Sequence, residues 1–497
     1  MSDFLPQEII HRILLHLPVK SLIRSTLVCK SWKSLIKCPD FIESRLSTTI
    51  VSNDEKDSHL LLLSASSEDG HTRHQHHSLR WDSPEFGAHS MLPTPVIYLE
   101  NKPVSDLGVV GTCNGLVCLE IDRTGTGSDP MPVLIWNPSI RRVVMVPKPP
   151  LCSISTDDNR YTTLGFGYAA HSNDYKILRV VTDVTTNVDY DSIDEIFGVV
   201  NFADDDRLIT TFVQVYSLAS GSWKSLSDSV VPLDLKGGGN EDFVFVNDTL
   251  HKLEARFNED EDEGEYYNDE DMVIRTFNLS TEEFGEMMGP EALEQGRCSI
   301  ARYGDSLAFG DHYDNGLRDR GCDIWVMRQY GVAESWTKLF KIYVNPARIH
   351  GFKRCGDVVL EKKISFGQSR LTSYNPNKKQ YSDLGTVGHS YYFMDSFIES
   401  LVLLDHCNAI SYQATFTKMC DAVTEHELVT ALQVSVYPKI IFTKAGKILY
   451  PEKAIRSGDE LSKLMAFFYY GAAEPLCLNV IGDRQEEVPS IPINAQP

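Results

Sequence analysis

Val133-Leu134-Ile135-Trp136-Asn137-Pro138-Ser139, followed by Arg141–Val146, is the stretch whose reading decides the fold. An apolar run ending in an aromatic meets a polar turn and then a second short apolar run, the pattern of two strands joined by a hairpin. Four further copies follow: Val213–Leu218 leads to Ser222–Leu226, Ile274–Leu279 to Glu283-Phe284, Ile324–Met327 to Ser335–Leu339, and Arg370–Pro376 to Gln380-Tyr381. The aromatics Phe277, Trp325 and Tyr374 lie 48 and 49 residues apart, near the kelch-type period of about 50. The intervals from Trp136 to Tyr216 and from Tyr216 to Phe277, 80 and 61 residues, are longer, which we attribute to inserted loops. A pair of twisted strands cannot bury both faces alone, and radial stacking covers them while leaving few exposed edges. The pattern therefore predicts a large all-β, propeller-like domain from about residue 51 onward. An open solenoid or a sandwich is the structural alternative.

Residues 4–46 read differently. Pro6 suits a first helical turn, and Ile9, Ile10, Ile13, Leu14 and Leu17 follow at helical spacing. Leu17-Pro18 ends that run, because the residue before a proline is pushed out of the α region. A second run carries Leu22 and Ile23, and a third holds Leu27, Val28, Trp32, Leu35 and Ile36 before Pro39 closes it. Two or three short helices of this size make a marginal core on their own. Their apolar surface is expected to be covered, either by the rest of the chain or by a partner whose groove takes an amphipathic helical surface.

The bulk properties set limits. The chain has 497 residues, 42% apolar and 23% charged, enough for a sizeable core. A net charge of −22 argues against nucleic acid as the main partner, since phosphate contacts need Lys and Arg surfaces. Met1–Gln7 lacks a basic start followed by an apolar run, and no apolar stretch approaches the roughly 20 residues of a membrane span. Eleven scattered cysteines without a CxxC pair predict reduced thiols in the cytoplasm or nucleus.

The helical segment resembles the F-box. The matching positions are Leu5-Pro6, Glu8, Ile13-Leu14, Leu17-Pro18, Lys20-Ser21-Leu22, Arg24, Val28-Cys29-Lys30, Trp32, Leu35-Ile36, Pro39 and Phe41. The resemblance implies binding to a Skp-type adaptor, and through it to a cullin, by Leu5, Pro6, Ile9, Ile13, Leu17, Pro18 and Leu22, with Val28 and Trp32 as mixed core and interface positions. The β-rich region is similar to the plant F-box-associated domain, a family that includes S-locus receptors and several defence and hormone regulators. Its marks are Gly111–Cys118, Trp136-Asn137-Pro138-Ser139, Gly165-Phe166-Gly167-Tyr168, Asn173-Asp174-Tyr175-Lys176 and the closing Glu399–Leu404. The double-glycine and tryptophan pattern of true kelch repeats is absent. The expected organisation is an F-box over 1–46, a His-rich connector with first strands over 47–104, the F-box-associated domain over 105–404 and an extension over 405–497. In that extension Tyr437–Phe442, a Lys444–Lys447 turn and Ile448–Tyr450 read as a hairpin available to close the β domain.

Other features point to no chemistry. His71, His74, His76 and His77 cluster without a Cys or carboxylate at a metal-ligand spacing, so a solvated loop is expected. Gly165-Phe166-Gly167-Tyr168 lacks the third glycine of a dinucleotide fingerprint and reads as a turn or a family mark, and Gly125-Thr126-Gly127 as a loop. No Walker lysine, nucleophile elbow or HExxH helix is present. No cofactor, metal or catalytic residue is expected. Glu259–Asp271 carries nine carboxylates in thirteen residues; such a run stays solvated, and as a function it steers basic partners. The expectation is thus a non-catalytic substrate receptor of a Skp–cullin–F-box ubiquitin ligase, whose protein target the sequence does not name. An F-box scaffold or decoy outside a ligase, and a β-propeller enzyme, are the alternatives.

Overall fold

Each aromatic-and-turn unit is the third strand, turn and fourth strand of an antiparallel sheet, and a sixth sheet precedes the five read from the sequence. In a computed structural model the described residues are 6–412, apart from 56–58, 70–71, 96, 100–101, 105–106, 122–131, 151–159, 187–198, 204–206, 227–242, 257–270, 291–296, 315–319, 344–347, 366–367 and 389–391, together with 442–444, 447–451 and 478–480. Four helices come first: α1 (Gln7–Leu15), α2 (Val19–Ser25), α3 (Lys30–Lys37) and α4 (Pro39–Glu55). Pro39 therefore opens a helix instead of closing one, as its fixed φ and missing N–H allow at a first helical position. The helical region also runs past the expected boundary at residue 46.

Strands β1 (Leu60–Asp69), β2 (Thr72–Trp81) and β3 (Ala88–Met91) belong to blade one, and a two-stranded ribbon follows, β4 (Ile97–Leu99) with β5 (Lys102–Val104). Blade two holds β6 (Leu107–Cys113), β7 (Leu116–Ile121), β8 (Val133–Asn137) and β9 (Arg142–Met145). Blade three holds β10 (Arg160–Ala169), β11 (Asp174–Thr186), β12 (Val199–Ala203), β13 (Arg207–Ser217) and β14 (Ser222–Ser225). Blade four holds β15 (Val244–Val246), β16 (Thr249–Arg256), β17 (Asp271–Asn278) and β18 (Glu283–Met288). Blade five holds β19 (Arg297–Tyr303), β20 (Ser306–Asp314), β21 (Arg320–Met327) and β22 (Trp336–Ile342). Blade six holds β23 (Arg348–Phe352), β24 (Val358–Ser365), β25 (Gln368–Asn375) and β26 (Gln380–Gly388). Then β27 (Tyr392–Phe397) pairs antiparallel with β1, Leu60 opposite Phe397 through Ala65 opposite Tyr392, and becomes the inner strand of blade one. The ring is closed by one late strand joined to three early ones. A last short strand, β28 (Ile410–Ser411), adds to the outer edge of β9.

Trp136, Tyr216, Phe277, Trp325 and Tyr374 lie near the ends of the third strands β8, β13, β17, β21 and β25. In three blades an asparagine follows and its side-chain oxygen accepts a backbone N–H beyond it: Asn137 from Ser139 (3.0 Å), Asn278 from Ser280 (2.9 Å), Asn375 from Lys378 (2.8 Å). This side-chain turn is why Asn, Asp and Ser stand there. The long Trp136–Tyr216 interval has a physical source as well, since β12 forms an extra hairpin with the first half of β13.

Three expectations are corrected. The His-rich stretch is no loop: β2 runs through it, and His77 is wholly buried on that strand against Trp136, ring centroids 5.7 Å apart. Gly165-Phe166-Gly167-Tyr168 is not a turn but part of inner strand β10. A Cβ on Gly167 would stand 2.3 Å from the Phe245 ring, so the missing side chain admits the neighbouring blade. Closure is made by β27, ahead of the extension. The extension hairpin itself is present as β29 (Phe442–Lys444) and β30 (Lys447–Pro451), with β31 (Leu478–Val480) beside β30, in a second unit spanning 415–497. Leu5, His71, Gly125–Gly127, most of the acidic run and the end from Arg484 to Pro497 lie outside the described residues.

Asn114 and Gly115 form the β6–β7 turn with φ of 51° and 78°, the left-handed pair of a type I′ hairpin. A Cβ on Gly115 would also lie 2.5 Å from the Ile398 carbonyl oxygen. Gly115→Val is expected to cost about 2–4 kcal/mol, from backbone strain and displacement of residue 398, seen as a lower denaturant midpoint. An unchanged midpoint would contradict this packing.

Candidate protein-interaction surfaces

The antiparallel blades give the ring two unlike faces. Turns between first and second strands and between third and fourth strands open on one face, and the strand ends that lead into the second-to-third and blade-to-blade links point to the other, the loop face. The second-to-third links differ in length, from 366–367 in blade six to 257–270 in blade four. The helical module sits on the turn face: its core of Ile10, Leu14, Val19, Leu22, Ile36 and Phe41 continues into Leu401 and Leu404, with Ile140 of the β8–β9 turn packed alongside. Lys37 reaches Asp405 at 3.3 Å.

Within the module, prolines set the helix starts, Pro6 before α1 and Pro18 before α2, and the Cys29 sulfur accepts from the Trp32 N–H to cap α3 (3.4 Å). Facing outward are Pro6, Ile9 (42% exposed), Ile13 (48%), Pro18 and Val28 (65%), with Leu17 and Trp32 half-buried. Leu27, at 68% exposure, joins them. Leu22, at 0% exposure, lies inside the module and helps hold its helices together. Ile9, Ile13, Leu27 and Val28 are thus large apolar side chains left in solvent on a small module.

The inner strands enclose a central channel of about 690 Å³. Phe166, Phe243, Phe352 and Phe393 line it beside Arg302, Arg348, His350 and Asp395. Burial pushes the Asp395 carboxyl above its ordinary range, with Arg302 opposing. Cys113 also lines the channel, but burial lifts its thiol to about 12, which keeps it protonated and a poor nucleophile. On the loop face, Met91, Met145 and Met288 at the ends of outer strands, with Tyr343 and Ile364, are exposed. The acidic run joins Arg256 to Asp271, a paired position at the loop-face ends of β16 and β17. Among the described residues no group of three metal-ligating side chains converges, and no helix is long and apolar enough to cross a membrane.

The F-box domain family matches residues 3–44, and the F-box associated beta propeller domain family matches residues 83–394. The chain belongs to the F-box-associated β-propeller family. Relatives of this F-box protein in Arabidopsis thaliana include an F-box/kelch-repeat protein, 26% identical over 68% of this chain and 79% of the relative, and F-box protein CPR1, 26% identical over 80% and 89%. A different likeness is to the chloroplastic thioredoxin-like fold domain-containing protein MRL7L of Arabidopsis thaliana, 65% identical over 74 residues, which are 15% of this chain and only 21% of that relative. Outside the two family matches, only the stretch after residue 394 is long enough to hold it. Among solved structures, YjhT aligns with 64% of this chain and 97% of its own at 13% identity and a TM-score of 0.33.

Two buried histidines are expected to make stability depend on acid. His77 is pushed down to about 3 and His251 to about 4, in both cases chiefly by burial. His251 donates from Nδ1 to the Val244 carbonyl (3.1 Å) and accepts at Nε2 from the Tyr330 hydroxyl (2.9 Å), an arrangement that fits the neutral ring. Unfolded histidines take up protons near pH 6.5 while these stay neutral, so stability is full above that pH and falls as pH drops below it. Each is expected to withdraw about 2 kcal/mol by pH 5. His77→Phe should flatten the fall of the unfolding midpoint between pH 7 and 5; an unchanged slope would contradict the assignment.

Proposed function

We propose that this F-box protein is the substrate-recognition subunit of a Skp–cullin–F-box ubiquitin ligase. It performs no bond chemistry itself. The helical module docks a Skp-type adaptor, and through it the cullin, while the β domain holds a protein target near the charged conjugating enzyme. Proximity is the source of rate in such a device. The observation that carries the reading is the outward apolar surface of Ile9, Ile13, Leu27 and Val28 on a module whose opposite side is already buried against the propeller. In this reading Pro6, Leu17, Pro18 and Trp32 complete the adaptor contact, and Leu22 supports it from within.

Target capture is assigned to the loop face, opposite the module. Connections there differ in length from blade to blade and can vary without disturbing the ring, and flexible methionines suit a surface that adapts to a partner. The acidic run at Glu259–Asp271 adds attraction for basic targets. The working division is F-box over 1–46, connector and first strands over 47–104, recognition domain over 105–404 and extension over 405–497, with action in the cytoplasm or nucleus.

Co-purification of the full chain with a Skp-type adaptor tests this reading, beside an Ile13→Asp/Val28→Asp variant. Both residues are exposed, so the variant is expected to keep its melting temperature. It should lose at least about tenfold in adaptor affinity, each interface anchor being worth roughly 1–2 kcal/mol. Failure of the wild type to bind, or equal binding by a folded variant, would overturn the proposal.

A further inference from the structure

Residues 398–412 leave the inner strand of blade one, cross the turn face and finish on the outer edge of blade two, so they form a strap. Both sides of the strap are used. Toward the propeller, Asn137 donates from Nδ2 to the carbonyls of Ser400 (3.1 Å) and Val402 (2.8 Å), and Arg142 donates from Nη1 to the Ala409 carbonyl (2.7 Å). Trp136 donates its indole N–H to the Tyr412 hydroxyl (2.5 Å), and Leu403 and Ala409 enter the core between blades two and three. Away from the propeller, Leu401 (1% exposed) and Leu404 (8%) are buried among Leu14, Leu22, Ile36 and Phe41 of the helical module. Asp405 meets Lys37 beside them. Glu399–Leu404 is shared between the two: Leu403 serves the propeller while Leu401 and Leu404 serve the helices.

A helical module of this length has too little interior to be stable on its own. We infer that the strap is a positioning element: Leu401 and Leu404 complete the core of the F-box and fix its angle on the ring, so the strand that closes the propeller also sets where a docked adaptor points. The docking follows from the burial above; only its consequence for ubiquitin transfer rests on the ligase reading. Ubiquitin transfer needs the target held at one distance and direction from the conjugating enzyme, and a module hinged freely on α4 would not provide it.

The test uses the full chain, a Leu401→Ser/Leu404→Ser variant and a conservative Leu401→Met/Leu404→Met variant. Amide hydrogen exchange is followed in α1–α3 and, separately, in the inner strands β6 and β23. The serine pair is expected to speed exchange in α1–α3 by about tenfold or more while leaving the inner strands unchanged, as local opening does, and the methionine pair to restore protection. In a ligase reconstituted with adaptor and cullin, the serine pair should also spread ubiquitin over more of the chain's own lysines than the wild type marks. Unchanged exchange in α1–α3 would overturn the inference. Equal loosening of the inner strands would overturn it too, because the two leucines would then be serving the ring. Should the wild type fail to hold an adaptor, the ligase proposal falls, and the exchange comparison still decides the role of the strap.

Discussion

A ring of sheets must be closed by a strand that belongs to both ends of the chain. Here that strand is β27, and its antiparallel pairing with β1 is the constraint on which the remaining structure depends. Without it, blade one would expose an open strand edge to solvent, and the channel would lose Phe393 and Asp395 from its wall. Closure between distant parts of a chain costs loop entropy before any contact offsets it. The molecule meets that cost with more than six ladder residues. Phe397 joins Leu62, Leu79 and Trp136 in one core, and the chain then continues into the strap that ties blade one to blade two.

The same arrangement explains several short motifs that otherwise look unrelated. Trp136-Asn137 and Glu399–Leu404 stand more than 260 residues apart, yet Asn137 saturates two strap carbonyls. Asn114-Gly115 turns so tightly because residue 398 passes over it. In Asn173–Lys176, Asp174 accepts from Ser217 and the Ala219 N–H, and Lys176 donates across the blade boundary to the Leu279 carbonyl (2.7 Å). Gly165 and Gly167 leave room for side chains of the next blade. These residue choices answer contacts with the strap, within blade three and between blades, where a polar group without a partner would cost about 1–3 kcal/mol.

The five later blades were legible because each repeats an aromatic, a turn residue and a second strand, and those signals are local. Blade one was not. Its third strand carries Thr72–Trp81, where histidines, Gln75 and Ser78 hide the alternation, and its inner strand lies over 300 residues away. Trp81 ends the third strand as an aromatic does in later blades, but polar neighbours concealed the repeat. In the helical module the spacing marked the first three helices and missed α4, which opens at Pro39. Leu22 and Leu27 are both leucines in short amphipathic runs, and only tertiary packing, of the helices on one another and on the strap, decides that one is buried and the other bare. The role of Leu401 and Leu404 was likewise beyond local reading, because it depends on where the chain returns after circling the ring.

Cryo-electron microscopy of the full chain bound to a Skp-type adaptor tests the central claim most directly. The account predicts adaptor density over Ile9, Ile13 and Val28, with the propeller held at one angle behind it and the loop face turned away from the adaptor. Adaptor bound elsewhere, or an F-box separated from residues 401–405 and seen at many angles, would contradict it.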